Sequence, residues 1–120
     1  MKKIVLHGWK SLPLGGVIPE GGNSQDYATG SWRTYRPVLD ADKCIHCLIC
    51  WIMCPDSSVV VREGKLLGFD LAHCKGCGIC AEVCPDKVKS ITMVEEGEAK
   101  EAYGDKDMDD QVIPWEPGRY

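Results

Sequence analysis

The sequence predicts a small α+β domain, a β–α–β unit written twice about a pseudo-twofold axis, with an extended segment before it and an acidic tail after it. Three observations carry this expectation. Seven positions, Asp40, Cys44, Cys47, Cys50, Cys54, Pro55 and Asp56, recur as Asp70, Cys74, Cys77, Cys80, Cys84, Pro85 and Asp86, always 30 residues on. Short apolar and β-branched runs follow each cysteine run. All eight cysteines fall between residues 44 and 84 of a 120-residue chain, and the flanks differ from this middle in composition.

Residues 1–43 hold no cysteine and no evident core of their own. They carry Gly15-Gly16, Gly21-Gly22 and the aromatics Trp9, Tyr27, Trp32 and Tyr35, which suits an extended segment laid over a partner. Residues 44–94 form the cysteine domain. Each of the stretches Cys50–Cys54 and Cys80–Cys84 fits about one helical turn, stopped by the following proline. Val59-Val60-Val61-Arg62 reads as a strand, Glu63-Gly64 as a turn, and Lys65-Leu66-Leu67-Gly68-Phe69 as the returning strand. Ile91-Thr92-Met93-Val94 is the matching strand after the second run. Residues 95–120 hold nine acidic against three basic side chains and read as a solvated tail. Near its end, Val112-Ile113-Pro114-Trp115 is taken as an anchor to a partner rather than a fold-back.

The formal net charge is −4, from 14 basic and 18 acidic residues, and no basic stripe marks a nucleic-acid binder. The only apolar run near the start, Ile4 to Leu6, is too short for a signal-peptide core, and no stretch reaches the length of a membrane span. The expectation is a reducing cytoplasm, where clustered cysteines serve as metal ligands rather than disulfides.

Each cysteine run has the form C-x2-C-x2-C-x3-C-P. Structural zinc prefers two separated cysteine pairs around one tetrahedral ion, and these triplets are too tight for that. A [4Fe–4S] cubane takes four thiolates from different directions. Three cysteines on a looping backbone cap three irons, and the fourth comes from elsewhere. In two-cluster ferredoxins the fourth cysteine of each run ligates the other cluster. That rule assigns Cys44, Cys47, Cys50 and Cys84 to cluster I, and Cys74, Cys77, Cys80 and Cys54 to cluster II, so that two [4Fe–4S] clusters staple the halves of a ferredoxin-like domain together. Each oxidised site then carries a charge of about −2, which favours low potentials. Gly76 and Gly78 allow close backbone approach to cluster II, where cluster I has His46 and Leu48, so the two potentials are expected to differ. Ile45, Leu48, Ile49, Trp51, Ile52, Val60, Ile79, Val83 and Met93 are expected to pack as a shell around the clusters. His46 and His73 are expected to be exposed or solvated rather than metal-bound.

Thr29-Gly30-Ser31-Trp32-Arg33, Arg36-Pro37-Val38 and the Cys74-Lys75-Gly76-Cys77-Gly78-Ile79-Cys80 run narrow the reading. From about Gly15 to Val94 the sequence resembles the delta subunits of pyruvate:ferredoxin oxidoreductase, within the multi-subunit 2-oxoacid:ferredoxin oxidoreductases. The resemblance implies an electron-transfer subunit without carbon chemistry of its own. Its catalytic partner subunits would bind thiamine diphosphate and coenzyme A, and an external ferredoxin would accept the electrons. Consistent with this, the chain has no P-loop and too little length for such sites. Arg33 and Arg36 then either contact partner carboxylates or are simply solvated. The competing functions are a free-standing two-cluster ferredoxin, which would not need residues 1–43, and an interaction module merely stapled by metal.

Overall fold

A computed structural model describes residues 6–103. The basic start at residues 1–5, most of the acidic tail and the Val112-Ile113-Pro114-Trp115 stretch lie outside the described residues.

Two antiparallel two-stranded sheets frame the domain. β1 (Tyr35–Leu39) pairs with β4 (Ile91–Glu95), in register from Tyr35↔Glu95 to Leu39↔Ile91. β2 (Val59–Arg62) pairs with β3 (Lys65–Phe69). The β2–β3 turn is the Glu63-Gly64 pair, with φ of 50° and 73°, the two positive values that a tight hairpin with right-handed twist demands. A bulge follows, because Val60 faces Gly68 and Val61 faces Leu66, which leaves Leu67 as the extra, exposed residue. Pro37 is tolerated in β1 because a two-stranded sheet gives each strand a free edge.

α1 (Ile49–Met53) and α2 (Ile79–Glu82) are the two short helices after the cysteine triplets. Each follows a left-handed residue, Leu48 at φ 61° and Gly78 at φ 80°. The core between helices and sheets holds Val59, Leu66, Phe69, Leu71 and Ile91, with Cys50, Cys74 and Cys80 buried among them. Matched bonds tie each sheet to the other half's loop. Asp40 N–H donates to Ser90 O and Asp70 N–H to Ser58 O, both at 2.7 Å.

Two elements depart from the sequence reading. β1 lies inside the segment assigned to residues 1–43, and α3 (Glu96–Tyr103) lies inside the stretch assigned to the tail. β1 finds its partner far along the chain, so no local hairpin pattern announces it, and Pro37 argues against a strand. α3 is short and acidic, yet it follows directly on β4. Ala99 is fully buried, and Glu96 N–H donates to Thr34 O at 2.8 Å.

Upstream of β1 the described residues form 3-10 turns at Leu14–Gly16, Asn23–Asp26 and Gly30–Trp32. Leu6, Trp9, Leu12, Leu14, Val17 and Ile18 are all exposed. The last part of this segment is strapped to the loop before Cys74. Gly30 N–H donates to Ala72 O at 2.7 Å, and His73 Nε2 lies 3.1 Å from Gln25 O.

Candidate metal centre

The eight cysteines fall into two groups of four, each lining one cavity. Cys44, Cys47, Cys50 and Cys84 line one of about 310 Å³, counted to its open mouth. Cys54, Cys74, Cys77 and Cys80 line the other, of about 360 Å³ on the same count. The last cysteine of each run thus lies with the triplet of the other run. The helical turn carries the chain away from its own loop, and Pro55 or Pro85 then redirects it. None of the eight cysteines is paired in a disulfide.

The loops around the two cavities share one backbone course. His46 and Leu48 take φ of 54° and 61°, and Gly76 and Gly78, at the equivalent positions, take 65° and 80°. The glycines adopt this conformation without strain, whereas an L side chain in the left-handed region costs about 1 kcal/mol or more. Gly76 is required for a second reason: a β-carbon there would stand 1.9 Å from Tyr35 O. β1 therefore rests its backbone directly on the loop between Cys74 and Cys77.

Backbone amides reach sulfur on both sides. Ser58 N–H donates to Cys54 Sγ at 3.3 Å and Gly76 N–H to Cys74 Sγ at 3.4 Å. In the other cavity Ser90 N–H donates to Cys84 Sγ at 3.3 Å, with Ser90 Oγ 3.5 Å from the same atom. Burial pushes the Cys80 thiol up to about 12, and the neighbouring Cys74 adds to this. Burial also raises Cys50 and Cys74. At Cys84 burial is outweighed by hydrogen bonds from Ser90, so this thiol is lowered. Buried thiols that resist ionising become thiolates only against concentrated positive charge. Four cysteine sulfurs around each cavity, with backbone amides donating to sulfur on both sides, fit an iron–sulfur cube.

The polar residues near the loops are more engaged than the sequence suggests. His46 is half-buried, its Nδ1 accepting from Leu66 N–H at 3.1 Å and lying 3.7 Å from Cys44 Sγ. His73 is held by Asp70 at 2.7 Å. Arg33 and Arg36 are neither solvated nor turned outward; they are 6% and 3% exposed. Glu96 accepts from Nε and Nη2 of Arg33 at 2.8 and 2.9 Å, and from Nε and Nη2 of Arg36 at 3.0 and 2.5 Å. Burial acts to raise the Glu96 carboxyl, but the hydrogen bonds and charges of Arg36 and Arg33 outweigh it and hold the group down at about 2.

The expected shell is only partly a shell. Leu48, Val60, Ile79, Val83 and Met93 are half-buried, whereas Ile45, Ile49, Trp51 and Ile52 are exposed. A five-residue helix with Cys50 on its buried side leaves the rest of its circumference to solvent. Sequence reasoning missed Glu96, Ser58 and Ser90. The serines had a faint signal, each lying a few residues beyond a run's last cysteine and just before a strand. Glu96 had none, because its partners are 60 and 63 residues away.

Comparison with known proteins identifies a 4Fe-4S dicluster domain over residues 37–93. The chain is 49% identical over 80 residues to pyruvate synthase subunit PorD of Thermotoga maritima, which spans 67% of this chain and 81% of that one. It is 43% identical over 85 residues to pyruvate synthase subunit PorD of Methanocaldococcus jannaschii, covering 71% of this chain and 96% of the other. Ketoisovalerate oxidoreductase subunit VorD of Pyrococcus furiosus is 46% identical over 68 residues, 57% of this chain and 63% of that subunit.

Proposed function

We propose that this chain, which belongs to the family of pyruvate synthase PorD subunits, takes electrons from thiamine-diphosphate-bearing catalytic subunits and passes them to an external ferredoxin. The chain is an electron-transfer subunit of a 2-oxoacid:ferredoxin oxidoreductase and carries two [4Fe–4S] clusters. The donor, the acceptor, pyruvate as the substrate and the cytoplasm as the compartment are the finer parts of the proposal. No helix among the described residues is long and apolar enough to cross a membrane.

The observation that carries the reading is the pair of four-thiol cavities. They support cluster I on Cys44, Cys47, Cys50 and Cys84, and cluster II on Cys74, Cys77, Cys80 and Cys54. The matched loops and matched amide–sulfur bonds support reading the two halves as a pseudo-twofold repeat. Each bound cluster supplies a store for one electron at a time. The protein's part is to hold eight thiolates, direct Ser58, Gly76 and Ser90 amides at sulfur, and keep the cavities close together across α1 and α2. The crossing is tested by Cys84→Ala. The spectrum of the cluster on Cys44, Cys47 and Cys50 should change while the other keeps its signal; a change confined to the other cluster refutes the crossing.

Leu6, Trp9, Leu12, Leu14, Val17 and Ile18, exposed along a segment without regular sheet or α-helix, support docking of this segment on a catalytic subunit, where such side chains leave water. Purification of the native complex without oxygen tests the whole assignment. Thiamine-dependent subunits should co-purify, and pyruvate with coenzyme A should bleach the cluster absorbance. Bleaching by another 2-oxoacid alone changes the substrate. A lone chain, bleached only by a separate reductase, means a free-standing ferredoxin.

A further inference from the structure

The two cavities match in most respects that act on a cluster. Each receives backbone N–H donation to sulfur, and each is bordered by a loop with left-handed residues at equivalent positions. They differ in a group of buried charge beside one of them, Arg33 and Arg36 about Glu96, of which Arg33 reaches the loop. Arg33 is packed on the Cys74–Cys77 loop, its β-carbon 3.1 Å from where a Gly76 β-carbon would stand. Its Nη1 donates to Gly30 O at 3.0 Å and to Leu71 O, three residues before Cys74. Its other nitrogens hold Glu96.

The remaining charges on this loop are paired and partly exposed: Asp70 with His73 at 2.7 Å, and Lys75 with Asp56 at 3.7 Å. Near the other cavity, Lys43 and Lys89 pair with Asp40 and Asp86. Both lysines are exposed, and water screens such pairs to small effect. A buried guanidinium acts through a lower effective dielectric and reaches farther.

We infer that Arg33 is a positioning residue whose charge raises the reduction potential of the cluster on Cys54, Cys74, Cys77 and Cys80 above that of its neighbour, so that this is where an electron entering the chain settles. The inference rests on the ligand assignment proposed above. Reduction adds one electron and no proton, from a thiamine-dependent subunit or from dithionite, and takes the site from about −2 to about −3. A nearby cation favours the more negative state. Glu96, bonded to the same guanidinium, opposes it.

The opposed signs make the test. The full-length holo-protein, prepared without oxygen, is titrated with dithionite and followed by EPR, and a Cys47→Ser chain marks which signal belongs to the other cavity. Arg33→Gln should move the midpoint of the Cys54/Cys74/Cys77/Cys80 cluster to more negative potential, and Glu96→Gln should move it to more positive potential. The other cluster should hold still in both. Loss of packing alone would shift both variants the same way, and that result overturns the inference. So do equal shifts of both clusters, or a wild-type protein in which this cluster is the lower of the two. If Arg33→Gln fails to fold, the sign given by Glu96→Gln decides. Wild-type protein without two [4Fe–4S] signals would overturn the ligand assignment itself, a result distinct from fixed midpoints.

Discussion

Alanine at Gly76 and at Gly78 makes a controlled pair. Both glycines sit in the second cysteine loop and both hold a left-handed backbone, at φ 65° and 80°. An L residue there costs about 1–2 kcal/mol at either site. The surroundings differ. A β-carbon at Gly78 would meet only Met93 Cγ, at an ordinary 4.0 Å, whereas one at Gly76 would stand 1.9 Å from Tyr35 O and 3.1 Å from Tyr35 C. That neighbour is backbone inside β1, so the overlap is relieved only by lifting the strand off the loop and straining its register with β4. Gly78→Ala should therefore cost about 1–2 kcal/mol. Gly76→Ala should exceed about 4 kcal/mol, the range reached when backbone strain and lost packing combine. In a domain of this size each kcal/mol is worth about 4–8 °C in melting midpoint. Anaerobic melting of the two holo-proteins, read by far-ultraviolet circular dichroism, should separate them by about 8 °C or more, about two kcal/mol on that scale. Midpoints within about 3 °C of each other, under one kcal/mol, would show that β1 does not rest on this loop.

The Arg33–Glu96–Arg36 group sets a pH dependence. The folded Glu96 carboxyl lies at about 2, below its ordinary 4.5. Its contribution, on the order of 3 kcal/mol, is therefore complete above 4.5 and is lost as the pH falls through 2. Urea unfolding of wild type and Glu96→Gln should show a constant gap from pH 7 down to about 5, narrowing only below; a gap that closes at higher pH refutes the assignment. His46→Ala removes the acceptor of Leu66 N–H and should cost about 1–2 kcal/mol, with faster hydrogen exchange at the Leu66 amide; unchanged exchange would mean that the bond is not made in solution.

What the sequence made legible is local. The cysteine spacing and following prolines pointed to both helical turns, because one turn of helix and a proline stop are written within a few residues. The β2–β3 hairpin was equally plain from Val59–Val61, Glu63-Gly64 and the returning strand. What stayed hidden depends on partners distant in the chain. β1 carries a proline and meets β4 more than 50 residues on, so neither composition nor alternation announces it. Arg33 and Arg36 read as outward cations because Glu96 lies in what sequence treats as the acidic tail. His46 looked solvated because its hydrogen-bond partner, Leu66, is 20 residues away on β3. The helix faces were misread for a different reason. Apolar side chains such as Ile49, Trp51 and Ile52 suggest packing, but a helix of five residues has only one side to bury.

The β1–β4 pairing also orders events in time. Joining Tyr35 to Glu95 closes a loop of some sixty residues, whose entropy cost is higher than that of the β2–β3 hairpin, closed by a two-residue turn. Contacts of long sequence separation form slowly. The hairpin and the two helical turns are therefore available early, while the strap, β1 and the Glu96 latch come together late. Until they do, the Cys74–Cys77 loop lacks the β1 backbone that rests on Gly76, so the second cysteine loop reaches its final course only with this late closure.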